Sequence, residues 1–380
     1  MNNISEFNKC ANCGSCYNAC PKNAISVQSD DLFYTLSVNE DKCTACGICK
    51  SVCPVNLPQE AQTIRSAYAV VHDNEQVVKE SSSGGLFSAL AEWIIERGGV
   101  VFGATFTNQC ACVEISSTQN CTLDDLRRSK YVESKVGNTF REVKSLLNEG
   151  KYVLYCAAPC QIAGLKRYLH KEYERLITCD FSCGGMPSHK IYQDYLELIA
   201  GKLDSKISEV NFRPKTYGWA YYAIKIKGEN QKCFSRLAVA DPYFGCFLGS
   251  HVSVRDYCLS CEFANNHYSD IILADFWKYK TISNVRNGNK GISLALTNSP
   301  KGEAMIEAIR NKVALTILDT DKASYNLKNK TYSETFLEKR NAFLELCKEK
   351  GFAVASKKIR LKSALNVKLR YYIKKFIGKN

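Results

Sequence analysis

Apolar and polar positions change period several times along this chain, and each change marks an element. Alternation in Ala24-Ile25-Ser26-Val27 and Tyr34-Thr35-Leu36-Ser37-Val38 predicts two short strands. The run Ala67-Tyr68-Ala69-Val70-Val71 predicts the first strand of a new unit, so a boundary is expected near residue 60. The stretch Ser81–Leu90 is expected to lead into an amphipathic helix that runs to about Arg97, followed by a strand over 100–106. Strands at 151–155 and 176–180 then alternate with helices at 161–169 and 190–199, an order that favours an α/β or α+β body. Residues 211–237 are strand-like with aromatics, 271–274 and 292–297 are apolar strands, and 301–312 read as a helix. The second half is therefore expected to be mixed rather than a clean doubly wound sheet.

With 380 residues, 45% hydrophobic and 23% charged, the chain falls in the folded, multidomain range. It has no leader-like start and no apolar run near ~18 residues, so a cytoplasmic protein is expected. The net charge of +13 is concentrated at the C-terminus, where 351–380 hold lysines and arginines and no acid. There Ile359, Leu361, Leu365, Val367, Leu369, Tyr372, Ile373, Phe376 and Ile377 alternate with the basic residues. Such a tail reads either as an amphipathic helix on an anionic membrane, at its inner face, or as an extension packing its apolar side on the body or a partner. With the bias confined to the tail, no nucleic-acid role is expected.

Twenty cysteines without an export signal point to metal-bound thiolates rather than disulfides. Cys10, Cys13, Cys16 and Cys20-Pro21 form one run, and Cys43, Cys46, Cys49 and Cys53-Pro54 form another, both of the form CxxCxxCxxxCP. Three closely spaced thiolates on a tight loop can point at one [4Fe-4S] cube, while the fourth is expected to start a short helix facing the other cluster. The partition is then Cys10, Cys13, Cys16 and Cys53 on one cluster and Cys43, Cys46, Cys49 and Cys20 on the other. Zinc, the alternative, has no use for a shared fourth cysteine followed by proline. Two cubes this close make a wire.

Beyond the runs, Cys160, Cys183, Cys258 and Cys261 lie beside Pro, Gly or loops and could form one all-cysteine site, for iron–sulfur or for zinc. Cys110, Cys112, Cys121, Cys156, Cys179, Cys233, Cys246 and Cys347 read as small buried hydrophobes or spares. The Ser81–Ser88 loop before a helix could bind an anion through free N–H groups, or could be an ordinary N-cap and turn. Of the histidines, His189 and His267 lie nearest the scattered cysteines and are candidate proton donors, or satisfied structural residues.

In order, the two runs, Ser82-Ser83-Gly84-Gly85-Leu86-Phe87-Ser88, Arg128-Ser129-Lys130-Tyr131, Ala158-Pro159-Cys160-Gln161, Cys183-Gly184, Cys258-Leu259-Ser260-Cys261 and Ala274-Asp275-Phe276-Trp277 resemble the beta-subunit family of coenzyme F-420 (deazaflavin) hydrogenases and dehydrogenases. The resemblance extends to about residue 345. It implies FAD beside a body-domain [4Fe-4S] cluster, with Ser82, Ser83, Gly84, Gly85, Ser88, Ser129, Lys130, Tyr131 and Asp275 as flavin contacts and Cys160, Cys183, Cys258 and Cys261 as cluster ligands. Lys290-Gly291-Ile292-Ser293 also falls near the flavin by this likeness, and relatives include proteins of polysaccharide gene clusters. The fold expected is α+β: a bacterial-type two-cluster ferredoxin module at 1–60, a mixed α/β flavin-binding domain at 65–348 and a basic helical tail at 351–380.

The implied function is an FAD-dependent iron–sulfur oxidoreductase, fed by a ferredoxin or another redox protein and acting on an organic substrate or deazaflavin coenzyme. The alternative is a non-catalytic electron-transfer subunit feeding a partner enzyme. No catalytic residue is assigned.

Overall fold

The computed structural model describes residues 10–57, 62–221, 223–281, 290–324 and 331–361, together with 365 and 369. Most of the basic tail, including Val367, Tyr372, Ile373, Phe376 and Ile377, lies outside the described residues.

The two cysteine runs repeat one backbone design. Asn12 and Ala45 both take positive φ, 53° and 51°, and so do Gly14 and Gly47, at 87° and 76°. These left-handed turns curl each loop inward, and short helices follow at once, Ser15–Ala19 and Ile48–Ser51. The fourth cysteine does not start a helix as expected. Cys20 ends one, in extended backbone with φ −69° and ψ 113°, because Pro21 bars the helical conformation at the residue before it. Between the runs, β1 (Ile25–Gln28) and β2 (Thr35–Val38) form an antiparallel pair.

The body is built on a mixed sheet. Its strands are β3 (Ser66–His72), β4 (Val100–Thr107), β5 (Cys112–Ser117), β6 (Ser134–Lys135), β7 (Val153–Cys156) and β8 (Leu176–Phe181). A separate antiparallel sheet of β9 (Ile207–Asn211), β10 (Ala223–Gly228) and β11 (Cys233–Leu237) follows. The chain then returns to the main sheet with β12 (Ile271–Asp275), β13 (Ser293–Thr297) and β14 (Val313–Leu318). The order across the main sheet is β14-β3-β13-β12-β8-β7-β4-β5-β6. Strands β4, β7, β8 and β12 are parallel neighbours, and β3 runs the same way across the antiparallel β13. The region 211–237, expected as strand, is thus the end of β9 and a β10–β11 hairpin.

Period-two alternation puts the two sheet faces against different helices. Val101, Leu154, Ile177, Ile271 and Ala295 pack on helices Leu86–Ile95 and Pro300–Ala308. Val100, Phe102, Val153, Tyr155 and Leu176 pack on helices Thr139–Asn148 and Pro159–Leu169. Full burial of each large apolar side chain contributes about 1.5–3 kcal/mol. The helix expected over 301–312 ends earlier, at Ala308, and a tight turn at Arg310–Lys312 delivers the chain into β14.

This architecture sends the ends of β3, β7, β8 and β12 toward one edge. Beyond those ends stand the Ser81–Gly85 loop, after the short helix Glu75–Glu80, then Cys160 in the first turn of a helix and Cys183 in a loop, while Asp275 closes β12 itself. Gly84 lets the first of these loops press onto the sheet, since a Cβ there would lie 2.3 Å from the Val70 carbonyl oxygen and 2.6 Å from the Ser293 nitrogen. Both are backbone atoms that cannot rotate away. Gly84→Ala is expected to destabilise the body by about 1–3 kcal/mol, the usual range for overpacking, read as a lower denaturation midpoint.

Candidate functional site

The cysteines fall into three neighbourhoods. Cys20, Cys43, Cys46 and Cys49 border one cleft, together with Pro21, Ala24, Ile25 and Val38. Cys43 and Cys46 are exposed there. In the second neighbourhood, burial pushes the Cys10, Cys13 and Cys16 thiols up, and the mutual charges of these residues and Cys53 push them further. The third neighbourhood is Cys160, Cys183, Cys258 and Cys261. Burial raises Cys183, Cys258 and Cys261 to about 12 and pushes Cys160 well above the ordinary thiol range, with repulsion among the four adding to it. Among the described residues, no three His, Cys, Asp or Glu side chains converge closely enough to hold a single metal ion.

The second and third neighbourhoods are packed together. Ala11, Cys13, Cys160, Met186, Phe263 and Tyr268 share one apolar cluster, with Cys258 and Cys261 against it. The Cys160 thiol points to the Ala11 carbonyl oxygen at 3.7 Å. Cys160 stands in the first turn of helix Pro159–Leu169, where the helix dipole favours negative charge. Gln161 secures that turn by accepting the Ala158 N–H at 3.1 Å and donating to Ser134 Oγ at 3.1 Å. One turn on, Gly164 leaves room for the ferredoxin loop: a Cβ there would lie 3.0 Å from Cys13 Sγ.

Most of the expected flavin contacts are held in place by hydrogen bonds, in separate small networks. Ser82 Oγ accepts from Ser129 N–H at 2.8 Å, Ser83 Oγ donates to the Ile292 carbonyl at 2.8 Å, and Gly84 N–H donates to Ser293 Oγ at 2.9 Å. Gly85, with φ 91°, precedes helix Leu86–Ile95, and the buried Ser88 accepts from Arg127 Nε at 3.0 Å. Gly291 packs on Ser83, a Cβ there lying 2.6 Å from the Ser83 carbonyl oxygen. Asp275 and Tyr131 are joined through Arg213, whose Nη1 donates to each at 3.0 Å. Trp219 Nε1 donates to the other Asp275 oxygen at 3.1 Å and stacks on Trp277 with centroids 4.4 Å apart.

Two lysines here are bonded to backbone carbonyls. Lys130 Nζ donates to the Asp125 and Arg127 carbonyls, and burial, with the Arg128 charge beside it, lowers its pKa to about 7. Lys215 Nζ donates to the Val78 and Ser83 carbonyls, and burial, then Arg213, lowers it to about 7. Arg213 and Lys215 were missed in the sequence; their signal was a basic pair flanking Pro214 just past a strand end.

The two histidines are both buried. His267 Nδ1 lies 2.8 Å from Asp180, and His189 stacks on Tyr34 at 3.8 Å. Among the cysteines read as buried or spare, Cys179, Cys246 and Cys347 are buried, whereas Cys233 is exposed because it opens the edge strand β11.

Arg213→Met removes the cation from a buried pair and is expected to cost about 3–5 kcal/mol, with a change in the fluorescence of the Trp219–Trp277 stack.

Residues 150–323 match the family model for the C-terminal part of the coenzyme F420 hydrogenase/dehydrogenase beta subunit, and residues 3–59 match the 4Fe-4S dicluster domain. No curated protein matches the chain. Among solved structures, a chain from "Xenon derivatization of the F420-reducing [NiFe] hydrogenase complex from Methanosarcina barkeri" is 12% identical, with a TM-score of 0.46 over 78% of this chain and 91% of that one. No helix among the described residues is long and apolar enough to cross a membrane. Residues 150–323 are thus similar to the C-terminal part of the coenzyme F420 hydrogenase/dehydrogenase beta subunit, and they follow a segment similar to the 4Fe-4S dicluster domain.

Proposed function

We propose that this chain is an iron–sulfur flavoprotein oxidoreductase that draws electrons from a ferredoxin-type donor and delivers them to an organic substrate or a deazaflavin coenzyme. Its clusters would be held by Cys10, Cys13, Cys16 and Cys53, by Cys20, Cys43, Cys46 and Cys49, and by Cys160, Cys183, Cys258 and Cys261. FAD would sit against Ser82–Gly85, Ser129, Lys130, Tyr131 and Asp275. When bound, the clusters supply one-electron transfer and FAD supplies the exchange between one-electron and two-electron chemistry.

The observation that carries this reading is the packing of Cys13 on Gly164 one turn from Cys160, which makes the ferredoxin module and the body continuous. The donor sets fit their groups. Four adjacent thiols, one buried and three half-buried, that repel one another as thiolates are a poor structural choice on their own, and iron cations turn that repulsion into ligation. The second fit is to an anion. Lys215 is bonded to the Ser83 carbonyl and Lys130 follows Ser129, whose N–H is bonded to Ser82, so a dinucleotide's phosphates at this turn would relieve buried positive charge. Arg213 fixes Tyr131 and Asp275 as the far wall.

The test is anaerobic quantitation of iron, sulfide and flavin. About twelve irons and one FAD per chain are expected, and about eight irons without flavin would defeat the reading. Cys160→Ala or Cys183→Ala is expected to remove about four irons and leave the signals of the N-terminal clusters intact.

FAD affinity is expected to fall as pH rises. The lysine charges at about 7 are present below that pH and lost above it in the ligand-free protein, so retention measured by equilibrium dialysis should weaken from pH 6 to 9. Lys130→Met should weaken binding at pH 6 and flatten the profile.

A further inference from the structure

A buried ion pair lies between the two inner cysteine sets. Glu133 and Arg255 are 0% and 8% exposed, and Arg255 Nε donates to Glu133 Oε1 at 2.8 Å while Arg255 Nη2 donates to the same carboxylate and to the Tyr34 carbonyl. Each partner also touches a hydrogen bond to a cysteine sulfur.

On one side, Glu133 Oε1 accepts from Asn12 Nδ2 at 3.2 Å, and the Asn12 N–H donates to Cys10 Sγ at 3.3 Å. Asn12 holds φ 53°, a left-handed conformation that asparagine adopts more readily than most residues. On the other side, Arg255 N–H donates to the Met186 carbonyl at 3.0 Å, and Met186 N–H donates to Cys258 Sγ at 3.3 Å. Cys258 N–H in turn donates to the Arg255 carbonyl at 3.0 Å. The Arg255 charge reaches both Cys10 and Cys258, as does that of Glu133. Hydrogen bonds to sulfur and local net charge are the two levers by which a protein sets a cluster's reduction potential.

We infer that Glu133 and Arg255 are a positioning pair that sets, in step, the reduction potentials of the cluster on Cys10, Cys13, Cys16 and Cys53 and of its neighbour on Cys160, Cys183, Cys258 and Cys261. The inference rests on the proposed three-cluster reading. A cation favours the more negative, reduced cluster and an anion opposes it, so the two residues act with opposite sign on both centres. Because each residue moves both potentials in the same direction, the difference that an electron meets between module and body is largely preserved. His189, whose Nδ1 lies 3.6 Å from Glu133 and whose ring stacks on Tyr34, completes the buried surroundings of the carboxylate.

The test is potentiometric titration of the full chain followed by electron paramagnetic resonance, with iron counted in every variant. Arg255→Gln is expected to make both inner clusters harder to reduce, by about tenfold in the reduction equilibrium, or 59 mV for one electron. Glu133→Gln should shift both the opposite way, and Arg255→Lys should move them less than Arg255→Gln. Asn12→Gly, which keeps the backbone and the ion pair, should shift only the cluster on Cys10. The cluster on Cys20, Cys43, Cys46 and Cys49 is the internal control. Should Arg255→Gln lose iron, Glu133→Gln and Asn12→Gly decide the matter. Unmoved potentials at full iron content, or shifts of the same sign in Arg255→Gln and Glu133→Gln, would overturn the inference and leave the proposed function standing. A wild-type chain with about eight irons would overturn both.

Discussion

The contact between Cys13 and Gly164 is the constraint on which the rest of the molecule depends. A helix backbone and a cysteine loop can come this close only where one partner has no side chain. The approach fixes the ferredoxin loops on the body, and other contacts follow from it. Gly14 rests on Val136, Asn18 Nδ2 donates to the Gly137 carbonyl at 2.9 Å, and Arg141 gathers the carbonyls of Tyr17, Asn18 and Cys20. The module is therefore seated in the body and not tethered beside it.

Electrostatics explain why so few residues can serve this interface. Thiols, two carboxylates, an arginine and two histidines are all withdrawn from water near it, and each isolated charge would be costly. The structure answers with pairing: Glu133 with Arg255, and Asp180 with His267. Breaking such a pair from one side costs about 3–5 kcal/mol, more than replacing both partners by apolar groups. Buried pairs of this kind add little stability, so their presence beside the cysteine sets fits a role in the field those sets experience.

The legible and illegible parts of this fold divide along physical lines. Ligand spacing is local, so the two loops with their repeated left-handed turns could be read from CxxCxxCxxxCP alone. Strand periods are also local, and β3, β4, β7, β8, β12 and β13 lie where the apolar runs put them. The short helix around Cys16 was misassigned because the pattern does not say which side of a proline-capped cysteine is helical. The partners of Arg213, Lys215, Glu133 and Arg255 were illegible for another reason. Their roles come from residues 62 to 221 positions away in sequence, brought together by the fold. The separate β9–β11 sheet delivers Arg213 to Asp275, and no period in 211–237 reports that.

Exposure rises from the inner cysteines outward. Cys160 and Cys13 are buried, whereas Cys43 and Cys46 face solvent beside the exposed Ile48. The same thiols that are most accessible to a docking redox partner are also the most accessible to dissolved oxidants. A partner seated over Cys43 to Ile48 would therefore act as a shield as well as a source of electrons, and the chain would be most vulnerable to oxygen when idle.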